Sequence, residues 1–154
     1  DSLSTGRKFR TLNVLDDFNR EALAIEVSMS IPAEYVVRVL ERIVYFRCKP
    51  KRIRVDNGPE FLAQAFVDWC KKESIEILYI QPGKPMQNAY IERFNGSFRR
   101  DVLDANWFNS LEEVRHYAED WRLDYNTKRP HETLKNMSPT AFAAQFFSQT
   151  QAKA

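Results

Sequence analysis

Cysteine and histidine are scarce in this sequence. Cys48 and Cys70 are the only two cysteines, and they lack metal-ligand spacing. Buried thiols in a reducing compartment are the expectation. His131 has no second histidine or cysteine near it at ligand spacing, and His116 reads as a helix-surface residue. A structural hydrogen bond is therefore the expected role of His131. No run approaches the roughly 18 apolar residues of a membrane span. The opening Asp1-Ser2-Leu3-Ser4-Thr5-Gly6 does not read as a signal peptide. Net charge is only +2, so charge alone does not announce a nucleic-acid partner. There is no internal repeat, low-complexity block or linker.

What is present fits one domain. The 44% hydrophobic content supports a core. Residues 1–147 read as a single unit and 148–154 as a flexible tail. Phe9 to Leu15 and Ala22 to Ser28 alternate as two strands around the turn Asp16-Asp17-Phe18-Asn19-Arg20, an antiparallel hairpin. Leu23, Ile25 and Val27 are its expected apolar face. Ser30 is placed to cap a helix running to about Phe46. Arg52 to Val55 reads as a central strand, Glu60 to Lys72 as a helix and Ile75 to Ile80 as another strand. Gln81 to Gln87, with two prolines and one glycine, predicts a loop. Ile91, Phe94, Phe98 and Val102 form one apolar helical stripe, in a helix to about Asp104. Ser110 and Glu113 suit a capping box for a helix to about Tyr125, with Leu111, Val114, Tyr117, Ala118 and Trp121 on its apolar face. Ser138-Pro139 starts a last helix ending near Phe147. Trp69, Trp107 and Trp121 are expected in the core. Strands alternating with helices in this order imply an α/β fold with a mixed sheet flanked by helices.

Two carboxylates stand out. Asp56 follows the central strand and precedes the turn pair Asn57-Gly58, so it belongs at a strand's carboxyl end, where ligand sites form in open α/β sheets. Glu92 lies on a helix, beside the apolar stripe but off it. Carboxylates from two elements can converge on a hard divalent cation. Paired cations can clamp the attacking and leaving oxygens of a phosphodiester. The plainer alternative is a capping Asp and a solvated helix Glu. The basic run Arg47, Lys49, Lys51, Arg52 and Arg54 leads directly to Asp56 and reads either as a solvated loop or as phosphate contacts. Asn88 is either a helix cap or a group that orients Glu92 or touches phosphate. Arg93, Arg99 and Arg100 lie on polar sides of the Glu92 helix, suited to a DNA backbone or simply to solvent.

The residues around these two carboxylates carry a resemblance. Asp56-Asn57-Gly58-Pro59-Glu60-Phe61 is followed, with 35 residues between Asp56 and Glu92, by Asn88-Ala89-Tyr90-Ile91-Glu92-Arg93-Phe94-Asn95-Gly96. Pro82-Gly83-Lys84-Pro85-Met86-Gln87-Asn88 leads into the second motif, and Tyr125-Asn126-Thr127-Lys128-Arg129-Pro130-His131 follows it. Together they resemble the catalytic core of bacterial insertion-sequence transposases with a retroviral-integrase-like domain. The resemblance implies a ribonuclease-H-like fold and an Asp, Asp, Glu site holding two Mg²⁺ or Mn²⁺ ions. Asp56 matches the second Asp and Glu92 the Glu.

The first Asp of that pattern falls before residue 1, which implies a truncated first strand and a fragment of a longer protein, inactive alone. Asp1 has no apolar strand around it, and Asp16 and Asp17 occupy a hairpin turn that is not catalytic in the family. The implied partners are DNA and other transposase copies, with no membrane, in a bacterial cytoplasm. Lys51, Arg52, Arg54, Asn88, Arg93, Arg99 and Arg100 are the DNA-binding candidates. The alternatives are a noncatalytic integrase-like module that binds DNA or dimerises, and a ribonuclease or resolvase of the same fold. The 35-residue spacing argues against the last.

Overall fold

The hairpin pairs β1 (Arg10–Leu15) with β2 (Ala22–Ser28) in an antiparallel ladder. These details come from a computed structural model that describes residues 1–153. The register slips between Val14 and Leu15, where Leu15 lies opposite Ala22 and Leu23 bulges. Helices pack on both sides of β2. The face expected from alternation is therefore replaced: Ala22, Ala24 and Val27 are the buried residues, while Leu23 and Ile25 are half-buried.

A second ladder joins β3 (Arg52–Val55) to β4 (Glu76–Tyr79) in parallel. Among the described residues the mixed sheet is thus present as two pieces that share no strand. α1 (Ala33–Phe46) connects the first ladder to the second, and α2 (Pro59–Leu62) and α3 (Gln64–Lys72) connect β3 to β4. α1 starts at Pro32 with no side-chain cap, so Ser30 does not play the expected role. The helix expected over 60–72 is broken at Ala63, whose extended ψ of 146° separates α2 from α3. Val36 and Leu40 of α1, Phe66 and Trp69 of α3, Val55 and Ile75 form the first core cluster. Phe66 is fully buried, worth about 2–3 kcal/mol in transfer free energy.

The second half is helical. A 3₁₀ turn (Pro85–Asn88) leads into α4 (Ala89–Phe98), which continues as a π-helical turn, Arg99–Leu103. Phe94, Phe98 and Val102 are buried along the expected stripe, with Ile91 packed beside them. α5 (Leu111–Thr127) begins at Ser110, whose Oγ accepts from the Glu113 amide at 3.2 Å. The Glu113 carboxylate accepts from the Asn109 amide at 2.7 Å, one residue earlier than a capping box requires. α6 (Pro139–Lys153) passes the expected end at Phe147 and runs into the segment expected to be a tail. Ala154 lies outside the described residues.

Three burial expectations are overturned. Trp107 is 91% exposed on the loop before α5, so it is not a core residue. Tyr117 on α5 is exposed, and Cys48 is an exposed thiol. Cys70 is buried as expected, and burial pushes its thiol up to about 11.

Candidate active site

Local chemistry fixes Asp56 at the end of β3. Asp56 Oδ1 accepts the Gly58 amide at 2.8 Å, closing a tight turn. Asn57 Nδ2 donates to the Ile80 carbonyl at 3.0 Å, tying this turn to the end of β4. Gly58 leaves room for two carboxylates. A Cβ there would stand 2.9 Å from Asp56 Oδ1 and 3.0 Å from Glu60 Oε1. Asp-Asn-Gly is therefore a device that holds one carboxylate at a strand end, with the Glu60 carboxylate beside it. Pro59 then opens α2 at its first position.

A cleft of about 830 Å³ separates the two ladders. β1 and the following turn form one wall, and β3 with Asp56 forms the other. Val36, Leu40 and Ile43 of α1 and Asn88, Ile91 and Asn95 of the α4 region close it. Two ion pairs bridge the walls and give their relative direction. Asp17, just past the end of β1, accepts Arg54 of β3 at 2.8 Å. Arg10, at the start of β1, reaches Glu60, past the end of β3, at 3.5 Å. The two strands therefore run antiparallel across the cleft.

Glu92 is exposed, as is Asp56. Asn88, Asn95 and Arg99 line the cleft, and Glu92 shares their helical stripe at spacings of three and four. The structure thus brings Asp56 to one cleft wall and Glu92 to the helix that closes it. Among the described residues, no group of three or more His, Cys, Asp or Glu side chains stands close enough to hold a metal ion.

The basic candidates divide into two groups. Arg54 is engaged by Asp17, and Arg52 by Glu76 at 3.0 Å. Arg99 makes a two-pronged contact with Asp1 at 2.8 and 3.0 Å. Arg100 stands 3.7 Å from Asp101. Lys51 and Arg93 are exposed and form no ion pair among the described residues. Asn88 occupies the position before α4 without making a capping hydrogen bond, so the capping alternative is not realised.

Sequence reasoning missed Glu60, Asn13 and Asn95. Asn13 Nδ2 donates to Asn95 Oδ1 at 2.7 Å, fastening β1 to α4 across the cleft. The available signal was a polar residue inside the apolar strand pattern of β1. His131 also departs from expectation. Its backbone pairs with Met137, but its ring Nε2 is shielded from solvent with no hydrogen-bond partner. Burial, and then the nearby charges of Arg129 and Arg20, hold it below the ordinary histidine range.

No helix among the described residues is long and apolar enough to cross a membrane. Comparison with known proteins agrees with the geometry. The chain is 45% identical over 149 residues to the 39.2 kDa protein of insertion element IS476 from Xanthomonas euvesicatoria, covering 97% of this chain and 43% of that protein. It is 46% identical over 144 residues to the 31.7 kDa protein of insertion element IS407 from Burkholderia multivorans, covering 94% of this chain and 52% of that protein. The chain therefore spans about half the length of these relatives. In three dimensions it is similar to the HTLV-2 integrase catalytic core solved in complex with magnesium. That match has a TM-score of 0.68 at 17% identity, over 91% of this chain and 88% of that one. The BIV integrase catalytic core matches with a TM-score of 0.66 at 16% identity, over 93% and 97% of the two chains. Two integrase core domain profiles match, over residues 2–85 and 73–139. The ribonuclease-H-like fold and the sequence matches lead to one conclusion: this chain belongs to the integrase core domain family.

Proposed function

We propose that this chain is the catalytic core of a bacterial transposase, which within its parent protein cuts DNA and joins the freed 3′-hydroxyl to target DNA. The observation that carries the reading is the cleft, with Asp56 on one wall and the Glu92 helix closing it. Relatives at 45% and 46% identity that belong to insertion elements support a role in moving such an element.

Asp56 and Glu92 are assigned as metal ligands. Both are exposed carboxylates, the hard oxygen donors that Mg²⁺ or Mn²⁺ takes. The donor chemistry fits, but the two residues do not by themselves make a full ligand set. The cleft suggests where a third carboxylate belongs. An extended strand laid between β1 and β3 would run antiparallel to the first and parallel to the second, bonding both free edges. We assign that place to a segment of the parent chain ahead of residue 1, carrying the first Asp of the family pattern. The core then takes in α6, past the boundary at residue 147 that the sequence suggested.

When bound, a pair of such ions about 3.5–4 Å apart stabilises both the attacking and the leaving oxygen of an in-line displacement. The chain's own contributions are binding and position. The Gly58 amide orients Asp56. Lys51, Arg52, Arg54, Asn88, Arg93, Arg99 and Arg100 contact backbone phosphates, which set register without reading sequence. In this reading Arg52, Arg54 and Arg99 exchange their present carboxylate partners for phosphate. Further copies of the transposase, DNA ends and target DNA are the partners, in the cytoplasm at the nucleoid.

The test is a strand-transfer assay on the parent protein with a pre-cleaved DNA end and Mn²⁺. Asp56→Asn and Glu92→Gln should each lose about 10³-fold or more in rate, because positioning and charge stabilisation are lost together. DNA binding should persist. A rate within tenfold of the unsubstituted protein for either variant would remove that residue from the site.

A further inference from the structure

The hairpin turn between β1 and β2 meets α6 through aromatic rings that stay open to solvent. Asn19 is buried, and its Nδ2 donates to the Pro139 carbonyl at 3.2 Å, which seats the start of α6 on the turn. One residue earlier, Phe18 faces three phenylalanines of α6. Its ring centre lies 5.6 Å from that of Phe142, 4.9 Å from Phe146 and 6.4 Å from Phe147. The Phe146 and Phe147 rings are themselves 5.7 Å apart. Phe142 and Phe146 are one helical turn apart, so both reach the same ring. Burial is nevertheless incomplete: Phe18 and Phe146 are each 44% exposed, and Phe147 is 58% exposed. Single exposed apolar side chains are ordinary, but three in mutual contact form a patch.

The patch opens on the candidate active site. Phe147 lines the same cleft as Asp56, Asn88 and Tyr90. The turn that carries Phe18 is tied to two sides of that cleft. Asp17 accepts Arg54 of β3 at 2.8 Å, and the Arg20 guanidinium lies 3.6 Å from the centre of the Tyr90 ring on α4. The acidic residues of the turn are neutralised, since Asp16 faces Arg47 at 3.9 Å as Asp17 faces Arg54. From Pro139 to Ala152, α6 carries no charged residue. The surface is therefore apolar, free of uncompensated negative charge and set beside the place that the proposed function gives to DNA.

Size selects the occupant. A phenylalanine offers roughly 150–250 Å², so at these exposures the three rings present about 300 Å² in all. A stable protein–protein interface takes about 800 Å² from each partner. The patch falls well short of that and suits the flat face of a nucleobase. Aromatic rings hold bases by stacking, which works with any base because each has a π-face. That face is free only where a strand is unpaired or ends. We propose that Phe18, Phe146 and Phe147 form a stacking platform that receives an unpaired base at the DNA end entering the Asp56 and Glu92 cleft. This rests on the transposase reading and deepens it. A base held there fixes how far the strand end reaches into the cleft, without contact to the metal ligands. It also gives the outer half of α6 a function, with the hairpin turn as its support.

The experiment gives the parent protein two DNA probes with equal numbers of phosphates, a blunt duplex and a duplex with a short single-stranded overhang. The overhang should bind about tenfold tighter, the scale of one stacked base. Phe147→Ala should remove that preference, and Phe147→Tyr should keep it. The slope of log K against log salt should match the unsubstituted protein in both variants, because stacking releases no counterions. A 5-iodouracil in the overhang should crosslink on irradiation to Phe18, Phe146 or Phe147. Duplex binding with no overhang preference, and with crosslinks only elsewhere, would overturn the platform and leave the DNA reading standing. Binding of neither probe would overturn the DNA reading and the platform with it. A dimer that Phe147→Ala dissociates, with the overhang preference intact, would make a second copy of the chain the occupant and overturn the platform. The crosslink is read on the unsubstituted protein, so it decides even if a variant fails to fold.

Discussion

Asn126 on α5 grips Ala22 on β2 with both ends of its amide. Its Oδ1 accepts the Ala22 amide at 2.7 Å, and its Nδ2 donates to the Ala22 carbonyl at 3.0 Å. Both residues are buried, and Ala22 lies beside the bulge where the hairpin register slips. The side chain takes over the role of a neighbouring strand. It satisfies a peptide group that the ladder leaves out, and it docks the hairpin on the helical half. Asn126→Leu should leave the Ala22 N–H buried without a partner. The carbonyl keeps Arg122 at 3.0 Å. The expected loss is about 2–3 kcal/mol, read as a lower urea midpoint. A midpoint unchanged within error would show that water replaces the amide.

Gly58→Ala tests the turn that orients Asp56. The new Cβ would press on Asp56 Oδ1 at 2.9 Å and on Glu60 Oε1 at 3.0 Å. Backbone strain is small, because Gly58 has φ −59° and ψ 148°, which alanine adopts freely. Thermal stability should change by no more than about 1 kcal/mol. Strand transfer by the parent protein should fall at least tenfold, because the carboxylate turns away. Equal activity would mean that the Asp56 position is not critical.

Stability should depend on pH through His131. Its folded value lies below the ordinary one near 6.5. Between the two values the unfolded chain binds more protons, so stability rises with pH in that window and is lost as pH falls below about 6.5. Carboxylates act in a lower window. Asp101, held down mainly by its hydrogen bond from Arg129, contributes stability that is lost only on acidification below the ordinary carboxylate range. His131→Gln should flatten the melting temperature between pH 5 and 7 (roughly the histidine window) and leave the acid limb in place. A limb near pH 6 that survives the substitution would assign it to another group.

The free strand edges beside the cleft give a further test. On the proposed assignment residues 1–154 alone should join strands poorly, because among the described residues no group of three or more His, Cys, Asp or Glu side chains could hold a metal ion. A version extended upstream should join them. In hydrogen exchange, the amides of β1 and β3 that bond neither β2 nor β4 should become protected in the extended protein. Strand transfer by residues 1–154 that disappears on Asp56→Asn would point instead to Asp16, Asp17 or Glu60 as a further ligand.

Much of the fold was legible in the sequence because it rests on local signals. The bounds of β2 and β3 follow from alternation and flanking turns, and the Phe94, Phe98 and Val102 stripe follows from helical period. The failures share a cause. The break at Ala63, the exposure of Trp107 and Tyr117 and the burial of Ala22 and Ala24 depend on what packs against each segment. Composition and period do not carry that information.

The sequence by itself determined the chemistry available: an Asp held by a turn at a strand end, a Glu on an amphipathic helix 35 residues later, and the motif order that places both in one family. Only the tertiary structure decided the relation between them. Ion pairs from Asp17 to Arg54 and from Arg10 to Glu60 set two strand edges antiparallel across a cleft. Long-range packing set Arg20 over the Tyr90 ring and the Asn126 amide on Ala22. Such contacts join residues far apart in sequence, and their geometry depends on the summed burial of whole elements, which no short stretch encodes.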